Sequence, residues 1–212
     1  MVTAVLIEDH DVVRHGIKSI LQRYNINVIG EARDGKTGIQ QVRKLQPDVI
    51  LLDFKLPDIS GLEVIRRLMQ FDSSLHIVVL SAIESLYYPM RVLGAGALSF
   101  VSKTAPTAEL LTAIRKAAVG QGYINEQLAK DLALAEKAMP ENKNPFYELS
   151  DREMEVALLV VAGKTTSDIS DVLCIAEKTV NTYRYRMFAK LGIKSNVQLT
   201  RLAMRHHLIE VD

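Results

Sequence analysis

"VILLDFKLPDISG", residues 49–61, opens as an unbroken apolar run over 49–52 and stops on a carboxylate, Asp53. Pro57 and Gly61 then break the chain before a helical pattern begins. A run with no polar face suits a strand covered on both sides, because a sheet with one wet face alternates polar with apolar residues. Working outward, β-branched runs recur near 3–8, 27–32, 76–81 and 97–101. Amphipathic segments lie near 12–23, 36–45, 61–70, 87–93 and 107–119. Alternating βα units predict an α/β fold: a doubly wound, five-stranded parallel sheet with right-handed crossovers, flavodoxin-like in strand order 2-1-3-4-5.

The chain has 212 residues, 48% hydrophobic and 24% charged, a globular balance with room for two domains. No apolar stretch approaches the ~18 residues of a membrane span. The first residues enter a strand pattern without a basic leader, so neither export nor membrane attachment is expected. One cysteine, Cys174, rules out an internal disulfide and fits a reducing, cytoplasmic setting. No internal repeat is present. Net charge is +1, so bulk electrostatics name no polyanionic partner and the distribution of charge matters more.

After about residue 123 the strand signal ends. A polar helix near 126–138 leads into "MPENKNP", 139–145, a stretch of turn and breaker residues that reads as a linker. "SDRE", 150–153, is a capping box, and helices follow near 151–161, 166–173, 177–190 and 196–206. The expected domains are 1–123, a linker with a helix over 124–148, and an all-α four-helix domain with a helix-turn-helix over 149–212.

In a doubly wound sheet, ligands bind beyond the carboxyl ends of the strands where strand order reverses. Glu8 and Asp9 close the first strand and Asp53 the third, neighbours in this order. Three converging carboxylates repel one another, and a hard cation such as Mg²⁺ relieves that repulsion. Ser81 closes the fourth strand and Lys103 follows the fifth. Singly, an acid after a strand is usually a helix cap and a Lys a solvated charge. Jointly, acids, a carboxylate nucleophile, a hydroxyl and an ammonium at neighbouring strand ends point to phosphoryl transfer onto Asp53.

"IEDHDVVRHGI", "ILLDFKLPDISGLEVIRRL" and "GALSFVSK" resemble the receiver domain of two-component response regulators over residues 3 to about 120. The resemblance implies that a sensor histidine kinase phosphorylates Asp53. It places Glu8, Asp9, Asp53 and the Lys55 carbonyl around Mg²⁺, with Ser81 and Lys103 on the phosphoryl group. Glu8 stands where most members carry Asp, and Phe100 where a switching Tyr is usual, so the switch here lacks a hydroxyl. The resemblance also implies a cis peptide after the lysine, Lys103–Thr104, which for a non-proline bond costs ~3–4 kcal/mol.

Charge in the second half is segregated. Between 178 and 208 stand Lys178, Arg184, Arg186, Lys190, Lys194, Arg201 and Arg205 with no acid, whereas 151–177 carries six acids. One basic end on a neutral domain suits a phosphate footprint. Along the third helix, Val180, Met187 and Leu191 follow core spacing. Lys178, Asn181, Thr182 and Tyr185 share another face, where Asn suits adenine and a Thr methyl suits thymine in the major groove. The tight turn "LCIAEKT" between the second and third helices favours a helix-turn-helix over a solvated bundle helix.

Residues 149 to about 208 resemble the LuxR/NarL-type DNA-binding domain. By that resemblance Asn181, Thr182 and Tyr185 face bases, while Lys164, Thr165, Thr166, Lys178, Thr179, Arg184 and Arg186 contact the backbone. Val197, Leu199 and Leu202 on the last helix would pair two copies, though core spacing suits them equally. Ala176 replaces the usual capping Ser of the recognition helix, at a cost of ~1 kcal/mol. Receiver plus LuxR-type output is the NarL/FixJ architecture, and "TVNTYRYRMFAKLGIKSNVQLTRLAMRHHL" is similar to the GacA/UvrY/LetA group. That resemblance implies a GacS/BarA-like kinase, a homodimer on promoter DNA recruiting RNA polymerase, and activation of small regulatory RNA genes.

The expected device is a two-state switch in which the unphosphorylated receiver masks the recognition helix and phosphorylation releases it. Moving such an equilibrium from 1:99 to 99:1 takes ~5.5 kcal/mol. Two rivals exist. A Mg²⁺-dependent phosphatase of the haloacid-dehalogenase type carries a second acid two residues after its nucleophile, but Lys55 holds that place, so no enzyme is expected. A phosphorylation-independent DNA binder with a merely dimerising receiver would leave the acidic pocket without a use.

Overall fold

The computed structural model describes residues 1–82, 87–138, 145–173, 175–206 and 208. The central part of the expected linker, 139–144, and Cys174 lie outside the described residues. The chain forms two compact units, Met1–Leu132 and Ala133–Asp212. Their division falls within the stretch expected to link the domains.

In the first unit five strands alternate with helices: β1 (Val2–Ile7), α1 (Asp11–Arg23), β2 (Ile26–Ala32), α2 (Gly35–Leu45), β3 (Val49–Asp53), α3 (Gly61–Phe71), β4 (Ile77–Ser81), α4 (Tyr87–Gly94), β5 (Ser99–Ser102) and α5 (Thr107–Ala117). A further helix, α6 (Glu126–Ala138), follows. The strands pair in parallel in the order β2-β1-β3-β4-β5. The all-apolar runs owe their composition to this placement: every residue of β3 and β4 is buried. Alternate residues serve opposite faces. Ala4, Leu6, Val49, Leu51, Val78, Leu80 and Val101 pack with Ile17 and Leu21 of α1 and Leu111 and Ile114 of α5.

Register decides which chain ends meet. Ile7 pairs with Leu52, Asp53 with Leu80, and Ser81 with Ser102. Glu8, Asp53, Ser81 and Lys103 are therefore neighbours at one edge of the sheet. The Lys103 N–H donates to the Ser81 carbonyl at 2.8 Å. The β3–α3 loop folds tightly back on its strand: the Gly61 N–H donates to the Phe54 carbonyl at 2.9 Å, and a Cβ at Gly61 would lie 2.8 Å from Phe54 Cα. Asp58 in that loop accepts from the Gly35 and Lys36 amides at 2.8 and 3.0 Å, which ties the loop to the start of α2.

The second unit is helical: a 3₁₀ turn (Pro145–Glu148), α7 (Asp151–Val161), α8 (Thr166–Leu173), α9 (Glu177–Leu191) and α10 (Asn196–Arg205). The capping box forms, with Ser150 accepting from the Glu153 amide while Glu153 accepts from the Ser150 amide. Phe146, Met154, Ala157, Ile169, Val180, Met187, Leu199 and Ala203 are buried. The recognition-helix candidate α9 starts at Ala176 with no side-chain cap, and ends at Gly192 in the left-handed conformation (φ 64°), which a glycine adopts without a Cβ clash.

No peptide bond among the described residues is cis, so the expected cis Lys103–Thr104 is corrected to trans. The trans form avoids the non-proline cis penalty. No helix among them is long and apolar enough to cross a membrane.

Candidate phosphoacceptor pocket and nucleic-acid interface

At the carboxyl edge of the sheet, Glu8 and Asp53 are buried (0% and 2% exposed), and Asp9 is half-buried. The Lys103 ammonium sits 2.7 Å from Glu8 Oε2 and 2.8 Å from Asp53 Oδ2. The Lys55 N–H donates to Asp53 Oδ1 at 3.1 Å, an anchor from the loop that Gly61 and Asp58 hold in place. Ser81 and Phe100 are buried beside this edge (1% and 6% exposed). The structure thus brings Glu8, Asp9, Asp53, Lys55, Ser81, Phe100 and Lys103 to one end of the sheet.

The electrostatics are under tension. Burial, with the Glu8 charge adding to it, pushes the Asp53 carboxyl up to about 6, although Lys103 and the Lys55 amide favour the anion. Burial works against the Lys103 charge, yet contacts with Asp53 and Glu8 hold its pKa above the usual lysine value. Glu8 Oε2, Asp9 Oδ1 and Asp53 Oδ2 are buried, and the single Lys103 ammonium is shared between Glu8 and Asp53. One ammonium does not balance three carboxylates. Hard oxygen donors in excess of the positive charge that faces them fit a divalent cation such as Mg²⁺.

Two residues here escaped the sequence reading. His10 Nδ1 lies 2.6 Å from Asp9 Oδ1 and 3.3 Å from Glu8 Oε1, and its backbone N–H donates to Glu8 Oε1 at 3.2 Å. The signal for it was its place directly after two acids. Arg14, 4% exposed, donates to the Glu8 carbonyl at 3.0 Å and pairs with Asp11, fixing the start of α1 below the pocket. Its spacing from Asp11 was visible, but its burial was not.

In the helical unit, Lys178, Asn181, Thr182, Tyr185 and Arg186 are exposed on α9, and Tyr185 is 78% exposed. Residues 178, 181, 182 and 185 follow one helical face. The Thr182 hydroxyl donates to the Lys178 carbonyl at 2.9 Å. Lys164 and Thr165 are exposed ahead of α8, and Thr165 and Asp168 cap each other's amides at 2.8 and 3.2 Å. Thr179 is half-buried.

Arg184, expected at the DNA backbone, also has partners within the unit. It is half-buried and donates to the Thr166 hydroxyl and to Asn196 Oδ1, both at 3.1 Å, so it ties α9 to the starts of α8 and α10. Among the dimer candidates, Val197 is 62% exposed and Leu202 half-buried, while Leu199 is fully buried, the core alternative its spacing equally suited. Period-3.6 spacing marks an apolar position without saying which neighbour covers it.

Residues 4–115 match the response regulator receiver domain, and residues 147–203 match the bacterial regulatory proteins of the luxR family. The response regulator GacA of Pseudomonas viridiflava is 41% identical over 211 residues, spanning 99% of each chain. UvrY of Escherichia coli K12 is 38% identical and spans 100% of this chain and 98% of that one. RcsB of Salmonella enterica serovar Typhimurium, solved on a promoter with a phosphomimetic, shares the fold (TM-score 0.62, 24% identity, 95% of this chain and 97% of that one). The chain therefore belongs to the two-component response regulators that join a receiver to a LuxR-type DNA-binding domain, proteins in which phosphorylation governs the control of transcription.

Proposed function

We propose that Asp53 is the phosphoacceptor. A carboxylate oxygen of Asp53 attacks the phosphorus of a phosphohistidine, the P–N bond breaks, and the leaving imidazole takes up a proton. The observation that carries this reading is the buried Asp53 with the Lys103 ammonium 2.8 Å away, at an edge shared with Glu8 and Asp9. Lys103 moves its charge onto the transferred group and the Ser81 hydroxyl donates to it. Phe100 follows Ser81 inward and carries the change to the surface by packing alone. Glu8, Asp9, Asp53 and the Lys55 carbonyl would hold Mg²⁺, which supplies positive charge to the phosphoryl oxygens when bound.

In the output unit Asn181, Thr182 and Tyr185 read base edges, while Lys164, Lys178 and Arg186 supply phosphate contacts, with Thr165 and Thr179 beside them. Arg184 and Thr166 position α9. Two copies bind paired half-sites through Val197 and Leu202 and engage RNA polymerase. The 41% identity to GacA supports a sensor kinase of the GacS/BarA kind as donor, and the setting is the cytoplasm, where promoter DNA lies.

The test is incubation of the full chain with Mg²⁺ and acetyl phosphate, followed by mass-spectrometric mapping. A single hydroxylamine-sensitive phosphoryl group on Asp53, absent from Asp53→Asn, is expected together with tighter promoter binding. A protein inert to phosphodonors, or an Asp53→Asn variant that activates promoters as well as wild type, would overturn the reading.

A further inference from the structure

Beyond α5 the chain stays on the receiver before it enters α6. Gly120, in the left-handed conformation (φ 73°), turns it back, and Tyr123 then bridges in parallel to Ser99 of β5. Since β5 ends the sheet, residues 121–125 form a strap over an edge that would otherwise present unpaired backbone groups. The Tyr123 N–H is shared between the Leu98 carbonyl at 3.0 Å and the hydroxyl of Ser99, wholly buried, at 3.1 Å. A Cβ at Gly122 would lie 3.0 Å from the Leu98 carbonyl oxygen, so this close approach suits a glycine. The other side of the strap is held by α5: the Lys116 ammonium lies 5.3 Å from the Tyr123 ring centre, and Asn125 Nδ2 donates to Glu109 Oε1 at 3.0 Å. Asn125 Oδ1 also accepts from the Leu128 amide at 2.8 Å, which caps α6.

We propose that residues 121–125 are a latch that phosphorylation of Asp53 opens, and that its opening frees α6, the helix that continues into the helical unit. This rests on the phosphoacceptor reading and adds to it a route out of the receiver. Leu98 and Ser99, which hold Tyr123, directly precede Phe100, and the Lys103 N–H ties the far end of β5 to the Ser81 carbonyl. When Ser81 and Lys103 close on the phosphoryl group and Phe100 turns inward, β5 is drawn toward the pocket while Glu109 and Lys116 stay with α5. The hydrogen bonds of Tyr123 span that relative movement. A single bridge lacks the cooperative support of a ladder, so it opens before the strands within the sheet do.

The test uses the full-length protein with Mg²⁺, with and without acetyl phosphate. It reads amide hydrogen exchange at Tyr123 and Leu128, and affinity for a duplex selected from a random pool by the wild-type protein. Phosphorylation is expected to speed exchange at both amides by roughly tenfold or more. Asn125→Asp keeps an oxygen cap for α6 but sets a second carboxylate against Glu109, and Gly122→Ala crowds the Leu98 carbonyl. Each variant should speed exchange at Tyr123 without a phosphodonor and tighten DNA binding of the unphosphorylated protein by about fivefold or more, with labelling of Asp53 unchanged. Exchange at Tyr123 that phosphorylation leaves unchanged or slows, or variants that bind DNA as wild type does, overturns the inference, while labelling of Asp53 leaves the phosphoacceptor reading standing. A chain that acetyl phosphate does not label sinks the two together.

Discussion

Replacing Asp53 by Asn removes one charge from the most crowded part of the receiver and leaves its shape almost unchanged. In the folded chain the Asp53 carboxyl titrates near 6, against 3.8 in its ordinary state, chiefly because it is buried and secondarily because Glu8 is close. The raised value means that the folded protein keeps this proton after the unfolded chain has released it. The associated stability is full below pH 3.8, falls as pH rises through about 6, and is lost above. A rise of that size is worth roughly 3 kcal/mol, on the order of a fifth to three-fifths of a domain's whole stability. Asn cannot ionise, so without divalent ions Asp53→Asn should exceed wild type by about 1–3 kcal/mol near pH 8 and lose that advantage near pH 4. Lys103 keeps Glu8 as a partner at 2.7 Å in the variant, which limits the offset from its lost second contact. Amide hydrogen exchange along β3, with and without urea, isolates this unit from the helical one. Added Mg²⁺ should then stabilise wild type more than the variant. A variant no more stable than wild type near pH 8, or an advantage of equal size at both pH values, would refute the argument that Asp53 is electrostatically strained.

Asn181→Ala should relax sequence preference by about 1–3 kcal/mol at one base pair, whereas Lys178→Ala should weaken all sequences alike and flatten the salt slope by about one. Binding measured on specific and random duplexes across a salt series separates the two, and identical effects would discredit the groove assignment. Burial opposes the Glu153 charge, but Lys190 at 2.6 Å and Ser150 hold its pKa below the usual 4.5. Its contribution is therefore present above pH 4.5 and fades as pH falls through the lowered value. Glu153→Gln should lower the stability of the helical unit at neutral pH by about 1 kcal/mol, since Lys190 is partly solvated, with the deficit shrinking in acid. Ala176→Ser should restore the missing cap of α9 and raise the unfolding free energy of that unit by about 1 kcal/mol, read by urea denaturation.

Much of the receiver could be anticipated because its strands are buried on both faces. Burial of that kind leaves runs such as 49–52 and 77–80 without any polar residue, and the strand-end acids and Lys103 are visible as the residues that interrupt them. The start of α7 was legible for a different reason: Ser150 caps it within three residues, a purely local interaction, and the structure shows Ser60 and Ser195 capping α3 and α10 in the same way. The candidate site was legible in part. Strand order made Glu8 and Asp53 neighbours, and His10 directly follows two acids, but nothing local indicates that Arg14 is buried beneath them.

What the sequence by itself determined was element type, order and sheet topology, together with a helix face carrying Lys178, Asn181, Thr182 and Tyr185. Element type and order follow from periodicity, which acts over a few residues at a time, and the strand order is a common one for doubly wound sheets. Only the tertiary structure decided that Leu199 is core while Val197 is exposed, and that Arg184 ties three helices together. It alone drew His10 into the acidic group and raised the Asp53 pKa. Burial and charge repulsion depend on what approaches from elsewhere in the chain, and a spacing along the chain does not record those distances.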